Sequence, residues 1–271
     1  MPRQTWDELP AAVQQAVLTR TGPLASAQSV AAGFISELGA VLETADGGRY
    51  FVKGMRTDGP RAGCQGREAL ANPRVVPLAP ELRWRVTAEG WDLLGFEYAD
   101  GRAADIRPGS GDLPLVVQAL TALEPVAAPE GLPGAAERWA GFLDDPGEAG
   151  VLDGDSLVHT DWNPANALIT PGGGVRLVDF AEAARGAAWI DTGCWVVWLA
   201  FSGHTVEEAE HWAGKVPGWA SAPEAAVAVF ARAHAGYWAG IAEEFPNEWT
   251  FGLRDAAERW SAFRRRPAGG R

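Results

Sequence analysis

Four polar side chains of types that bind metal ions and move protons lie close together in the sequence. The stretch 158–180 reads VHTDWNPANALITPGGGVRLVDF and contains His159, Asp161, Asn166 and Asp179. Asn and Asp offer hard oxygen ligands to Mg²⁺, which takes the rest of its coordination from phosphate oxygens and water. A further carboxylate can accept or orient the proton of an attacking hydroxyl. The pattern therefore indicates transfer of a phosphoryl group to an alcohol.

These residues flank a predicted β-hairpin. Strand patterns at 166–170 and 175–178 are separated by a Pro- and Gly-rich turn. Because paired strands lie about 4.8 Å apart, we expect Asn166 and Asp179 side by side, with Asp161 on the loop that leads into the first strand. The alternative is a polar loop in which Asn166 and Asp179 only cap the strand ends.

A second group of candidates lies in the N-terminal part of the chain. Lys53, one of only two lysines, ends the apolar strand pattern YFVKG. Its ammonium is placed to meet phosphates as a point charge, although a surface lysine on an edge strand would have the same pattern. The segment 31–39, AAGFISELG, has no G-x-G-x-x-G pattern. Ser36 and the backbone amides near 34–37 are candidates for phosphate contacts, and a plain β-turn explains these residues as well.

The elements that must position these groups form a β-rich first part and a mostly helical second part. In the first part we predict a helix at 6–20, strands at 29–36, 38–44 and 49–54, a short helix at 62–71, and a hairpin at 83–88 and 91–98. After residue 101 we predict helices at 112–124, at 135–143 and from 189 onward, with the hairpin near 166–180 before the last group.

Composition limits the partners. The net charge of −12 argues against nucleic acid, whose phosphates need a basic surface. An acidic surface admits a cationic substrate, or it only keeps the protein in solution. No apolar run approaches membrane-spanning length, no secretory signal is recognisable, and Cys64 and Cys194 are isolated. We expect a cytoplasmic protein that binds neither nucleic acid nor membrane, and its oligomeric state is open.

Several segments resemble one known family. HTDWNPAN is similar to the catalytic loop, HGDxxxxN, of the aminoglycoside phosphotransferase and choline kinase superfamily, and VDF resembles its metal-binding DFG-like segment. The likeness extends over nearly the whole chain and is greatest to actinobacterial phosphotransferases grouped with aminoglycoside kinases. It implies an α+β, bilobal, protein-kinase-like fold. The implied parts are a small β-rich N-lobe at 1–96 that binds nucleotide, a hinge at 97–102, and a larger, mainly helical C-lobe at 103–271 that carries the catalytic and substrate-binding residues.

The resemblance also implies roles for residues of the C-lobe. Asp161 is the expected catalytic carboxylate, and Asn166 and Asp179 are the expected ligands of Mg²⁺. His159 is expected to hydrogen-bond the backbone and hold the loop rather than to act as a base. Asp191, within RGAAWIDTGCWVVWL (185–199), is expected to buttress the same loop.

Further roles concern the nucleotide and the acceptor. Lys53 corresponds to the strand-borne lysine that binds ATP, and Glu68 on the next helix is its expected ion-pair partner. In GFEYADGR (95–102), the backbones of Glu97 and Ala99 are expected to meet the edge of the adenine ring. Trp162, inside the catalytic loop, is the leading candidate among the tryptophans for the acceptor pocket.

The expected activity is ATP- and Mg²⁺-dependent phosphorylation of a small-molecule hydroxyl. The leading acceptor is an aminoglycoside-like or other cationic antibiotic, which would make the protein a resistance or self-protection enzyme. One alternative is a metabolic kinase for choline, homoserine or a sugar. Another is a catalytically idle kinase-like protein that binds nucleotide or a partner. Glu207, Glu208 and Glu210 are expected on a solvated helix face, or else as an acidic wall for a polycationic substrate.

Overall fold

The computed structural model describes residues 4–30 and 36–265. Its helices are α1 (Ala11–Thr21), α2 (Gly63–Val75), α3 (Leu113–Leu123), α4 (Ala135–Trp139), α5 (Ile190–Phe201), α6 (Val206–Ala213), α7 (Pro217–Ala220), α8 (Glu224–Glu244) and α9 (Glu248–Arg264). Its strands are β1 (Leu24–Ser29), β2 (Leu38–Thr44), β3 (Arg49–Arg56), β4 (Leu82–Ala88), β5 (Trp91–Glu97), β6 (Arg102–Ala103), β7 (Ser156–Val158), β8 (Ala167–Ile169), β9 (Val175–Leu177) and β10 (Ala184–Gly186).

The chain divides into two compact units. The first runs through Asp100 and also takes in Asp179–Ala181, and the second contains the described remainder. The first unit is built on an antiparallel sheet with the strand order β1-β2-β3-β5-β4. The expected mixed fold, with a β-rich N-terminal part and a helical C-terminal part, is confirmed.

Alternation along the strands gives the first sheet two different faces. Leu38 and Leu42 on β2 are buried in one apolar core with Val13 and Val17 of α1. Successive side chains of a strand point to opposite faces. On β3, Val52 belongs to the α1 core, so the next residue of the strand lies on the face where α2 packs. That next residue is Lys53, so its charged side chain is directed away from the α1 core.

The second unit combines two small sheets with helices. Strands β6, β8 and β9 form one antiparallel sheet, and β7 pairs with β10. Helix α5 is buried at every position from Ile190 to Ala200, and α8 and α9 pack against it. Edge-to-face contacts of Phe230 with Trp139, Trp189 and Trp260 fill the core beside α8. No helix in the described part of the chain is both long and apolar enough to cross a membrane.

Three predicted elements differ from the observed ones. The helix expected at 6–20 is split, because Pro10 stands outside α1 and only a 3₁₀ turn, Trp6–Glu8, precedes it. The strand expected at 29–36 is β1, which begins at Leu24; positions 31–35 of that prediction lie outside the described residues. Helix α2 continues past Pro73, because the buried Asn72 side chain anchors this last turn to Pro80 and Leu82.

Candidate active site

The first unit holds a buried lysine between two carboxylates. The Nζ atom of Lys53 lies 2.8 Å from Oε2 of Glu68 and 2.5 Å from Oδ1 of Asp179. Burial by itself would lower the pKa of the Lys53 ammonium, but the charges of Asp179 and Glu68 outweigh it and the pKa is raised. Lys53 and Glu68 are buried, whereas the Asp179 side chain is 22% exposed. A permanently charged lysine is thus held beside one carboxylate that solvent reaches.

Hydrogen bonds from α2 hold this group in place. The Gln65 side-chain amide donates to the carbonyl oxygens of Lys53 and Asp92, each at 3.1 Å, and so ties α2 to β3 and β5. The Arg67 guanidinium donates to the Ala181 carbonyl at 2.8 Å and anchors the segment after Asp179. Asp179 has a φ of 67°, a left-handed conformation that costs a residue other than glycine on the order of 1–3 kcal/mol. Lys53 and these anchors oppose its relaxation.

In the second unit, Asp161 lies on the loop that follows β7. The Asn166 amide nitrogen donates to Oδ2 of Asp161 at 3.0 Å and to the Asp161 carbonyl at 3.1 Å. Both partners can only accept, so the NH₂ group of Asn166 must face them. The Asn166 side-chain oxygen is then directed away from Asp161, as a metal ligand would require. The same amide therefore orients the carboxylate and presents a hard oxygen atom.

His159 is bound to the backbone on both sides of its ring. Its Nε2 lies 2.9 Å from the Val178 carbonyl oxygen, which can only accept, so Nε2 carries the hydrogen. In that tautomer Nδ1 accepts from the Asp161 N–H at 3.3 Å. These contacts tie the loop to the end of the hairpin. They are the contacts of a residue that holds the loop.

Asp191 holds the same loop through the loop's backbone. It lies in the first turn of α5 and accepts from the backbone N–H groups of His159 at 2.9 Å and Thr160 at 2.8 Å. Only 3% of Asp191 is exposed. Burial raises the pKa of its carboxyl, against the opposing effects of His159 and the two N–H donors. Asp191 thereby fixes two consecutive peptide groups directly before Asp161.

The hairpin register differs by one residue from the predicted one. Ala167 pairs with Leu177, and the Val178 N–H donates to the Asn166 carbonyl at 2.9 Å. The residue opposite Asn166 is therefore Val178, and Asp179 follows it in the chain. The turn sets this register, because the N–H of Thr170, directly after β8, donates to the Gly174 carbonyl at 2.9 Å.

The remaining predicted residues lie at four places. Ser36 lies two residues before the start of β2 and is half-buried. Glu97 ends β5, and its N–H donates to the Glu81 carbonyl at 2.8 Å. The Ala99 N–H has no hydrogen-bond partner among the residues that the structure describes. Trp162 is 4% exposed and packs 6.0 Å from the His159 ring, which leaves little of its surface for a substrate.

Three residues of the site were not predicted from the sequence. The Thr160 hydroxyl donates to the Glu182 carbonyl at 2.8 Å, and the Arg138 guanidinium pairs with the Glu182 carboxylate. These residues are 22 and 44 positions from Glu182 along the chain. Contacts at such separations have no local pattern, so no signal in a single sequence points to them.

Glu210, which was expected on a solvated helix face, forms contacts with another helix. The Glu210 carboxylate accepts from the Trp260 indole at 2.6 Å and pairs with Arg264. It therefore fastens α6 to α9 and is not part of a solvated face, whereas Glu207 and Glu208 are exposed as expected.

The solved structures with similar folds include two kinds of enzyme. Choline kinase LicA from Streptococcus pneumoniae superposes with a TM-score of 0.64 at 12% identity, over 93% of this chain and 98% of that chain. A thermostable mutant of aminoglycoside phosphotransferase APH(4)-Ia, in a ternary complex with ADP and hygromycin B, gives 0.62 at 14% identity, over 95% and 99%. An aminoglycoside phosphotransferase from Alicyclobacillus acidocaldarius gives 0.58 at 15% identity, over 95% of both chains.

Sequence comparisons find no relative of this chain, whereas structural comparison does. No protein-family model matches the chain, and no curated protein matches it. At 12–15% identity the structural likeness establishes the fold. The chain therefore has the fold of the aminoglycoside phosphotransferase and choline kinase-like superfamily.

Proposed function

We propose that this protein is an ATP- and Mg²⁺-dependent kinase that phosphorylates a hydroxyl group of a small molecule. The observation that carries the proposal is the buried Lys53, held between Glu68 and Asp179. Removing such charges from water costs several kcal/mol each, which an apolar side chain at the same place would avoid. A lysine retained there is best explained by a use for its charge, and the use that we propose is to bind phosphates.

The side chains divide the work of holding the nucleotide. Lys53 supplies a point charge for phosphate oxygens. Asn166 and Asp179 supply an amide and a carboxylate oxygen, the hard donors that suit Mg²⁺. When bound with ATP, the ion supplies charge neutralisation on the transferred group. The Glu97 carbonyl and the Ala99 N–H are proposed to recognise the adenine edge within a hinge at 97–102, with the nucleotide-binding lobe before it and the catalytic lobe, 103–271, after it.

Asp161 is the proposed catalytic carboxylate. The Asn166 amide and the loop held by His159 and Asp191 fix its position. From there it orients the acceptor hydroxyl and accepts its proton as the phosphoryl group leaves ATP. The protein contributes mainly orientation and charge, the two effects that dominate phosphoryl transfer.

The acceptor is proposed to be a cationic small molecule. One structural neighbour is a choline kinase, and another is an aminoglycoside phosphotransferase that was crystallised with ADP and hygromycin B. The net charge of −12 favours attraction of such cations. An aminoglycoside-like antibiotic is our leading acceptor, and choline, homoserine or a sugar is the alternative.

A panel assay tests the proposal. The purified protein with ATP and Mg²⁺ is incubated with hygromycin B, other aminoglycosides, choline, homoserine and sugars, and each acceptor is examined by mass spectrometry for an added phosphoryl group. Phosphorylation of one class, lost in Asp161→Asn, supports the proposal and names the class. Tight ATP binding with every acceptor unmodified would favour the idle nucleotide-binding alternative, and absence of both would reject a kinase-like function.

A further inference from the structure

Thr160 has an unusual backbone for its residue type. It lies between His159 and Asp161 and has a φ of 64°, in the left-handed region. A β-branched side chain crowds the backbone there, so such residues adopt this conformation only when their surroundings impose it. The surroundings of Thr160 are therefore informative.

Contacts on both sides of Thr160 impose the conformation. Its N–H donates to Oδ1 of Asp191 at 2.8 Å, and its hydroxyl donates to the Glu182 carbonyl at 2.8 Å. The residue is buried, with 6% of its surface exposed. The backbone is thus fixed by α5, and the side chain is fixed by the segment that leads into β10.

Arg138 extends this connection to α4. Its guanidinium donates to the same Glu182 carbonyl at 3.2 Å and pairs with the Glu182 carboxylate. The Arg138 side chain is only 17% exposed, and its guanidinium carbon lies 5.7 Å from the centre of the Trp139 ring. Glu182 is therefore held by Arg138 on one side and receives Thr160 on the other.

We propose that Thr160 is a positioning residue for phosphoryl transfer, whose hydroxyl, through Glu182 and Arg138, holds the Asp161 carboxylate in its reactive orientation. This inference rests on the proposed function. Thr160 immediately precedes Asp161, so relaxation of its backbone would turn the next side chain away from Asn166. Small displacements of a catalytic group reduce turnover strongly without reducing affinity for a ligand bound elsewhere.

A matched pair of substitutions isolates the hydroxyl. Thr160→Val keeps the β-branched shape and the backbone crowding but removes the donor, whereas Thr160→Ser keeps the donor. We expect Thr160→Val to lower kcat roughly 10–100-fold with the KM for ATP unchanged, and Thr160→Ser to stay close to wild type. Thr121→Val is the control, because it removes an equivalent hydroxyl-to-carbonyl bond of 2.9 Å within α3. Equal kcat values for Thr160→Val and Thr121→Val would overturn the inference.

A double-mutant cycle tests the connection itself. Thr160 and Arg138 act through one carbonyl, so Arg138→Met should lower kcat as Thr160→Val does, and the double variant should be little worse than either single variant. Additive losses would show that the two residues act separately and would contradict the connection.

Hydrogen–deuterium exchange tests the same connection without any acceptor. In Thr160→Val, peptides covering 159–166 and 182–186 should exchange faster than in wild type, while in Thr121→Val they should not. Unchanged exchange in both peptides would overturn the inference whatever the protein phosphorylates. A wild-type protein that modifies no acceptor would instead reject the proposed function, and the exchange result would still decide whether Thr160 holds the loop.

Discussion

The side-chain amide of Asn166 donates to both the carboxylate and the carbonyl oxygen of Asp161, at 3.0 and 3.1 Å. One NH₂ group thus fixes the side chain and the backbone of the same residue. Rotating the amide to free its nitrogen would place its oxygen against two acceptors, which is repulsive. The carboxylate is consequently preorganised before any substrate binds, and catalysis benefits from charges that need not move during the reaction.

This arrangement predicts a selective loss of chemistry in Asp161→Asn. Replacement of the proton-accepting carboxylate by an amide should lower kcat about 10²–10⁴-fold, the usual contribution of a general base. The affinity for the Mg²⁺ complex of AMP-PNP, measured by calorimetry, should change little. Asp153→Asn, at an exposed aspartate, is the control for removal of one negative charge. Near-normal turnover in Asp161→Asn would show that another group handles the proton.

The Lys53 ion pairs predict that stability and activity can be separated. Lys53→Met should lower the free energy of unfolding by about 3–5 kcal/mol, because it leaves the Glu68 carboxylate buried without its cation. The double variant Lys53→Met/Glu68→Gln should recover much of that stability but not nucleotide binding. Urea unfolding and nucleotide titration measure the two effects. Lys215→Met, at the other lysine of the chain, is exposed and should change neither. Recovery of nucleotide affinity in the double variant would contradict a role for the Lys53 charge.

The sequence was most informative where a regular pattern coincided with a chemical group. The alternating apolar residues of β2 and β3 and the Pro-Gly-Gly-Gly turn predicted the strands and the hairpin, and Lys53 was recognisable because it directly follows the apolar residues YFV within β3. Such patterns depend only on neighbouring residues. A one-residue error in register remained, because the position of the closing bond within the turn cannot be read from residue types alone.

The contacts of Thr160, Glu182 and Arg138 were beyond prediction for a physical reason. Strands β7 and β10 have three residues each, too few to show alternation, yet their pairing places the chain on either side of the site. The Thr160 hydroxyl contacts Glu182 across 22 positions of sequence. Threonine also disfavours the left-handed backbone that it adopts, so local propensity pointed away from the observed structure.

Each carboxylate oxygen of Asp191 accepts one backbone N–H, so loss of either oxygen should lower the stability of the folded protein. Asp191→Ala leaves the His159 and Thr160 N–H groups buried without acceptors, at about 1–3 kcal/mol each. Asp191→Asn keeps one acceptor but turns an NH₂ group toward the other N–H, so it should destabilise as well. Asp145→Ala is a matched control, because the exposed Asp145 also accepts a backbone N–H, that of Gly147. Equal urea midpoints for Asp191→Ala and Asp145→Ala would contradict this role.

His234 predicts a specific dependence of stability on pH. The indole nitrogens of Trp139 and Trp238 lie 3.1 and 3.2 Å from its two ring nitrogens. A neutral imidazole can accept one of these N–H groups, and an imidazolium can accept neither. Burial lowers the pKa of His234 to about 3.

In the unfolded chain the pKa of His234 is about 6.5. At pH values between about 6.5 and 3, the unfolded chain therefore binds a proton at His234 and the folded protein does not. Stability should therefore fall as the pH drops from about 6.5 toward 3, with His234 contributing a loss of about 3 kcal/mol by pH 4. Urea unfolding at pH 7, 5.5 and 4 measures this loss against His234→Gln, which keeps a hydrogen-bond acceptor but does not titrate. Because the carboxylates titrate alike in both proteins, the stability difference between them isolates His234. The same pH dependence in both proteins would mean that His234 is protonated in the folded state.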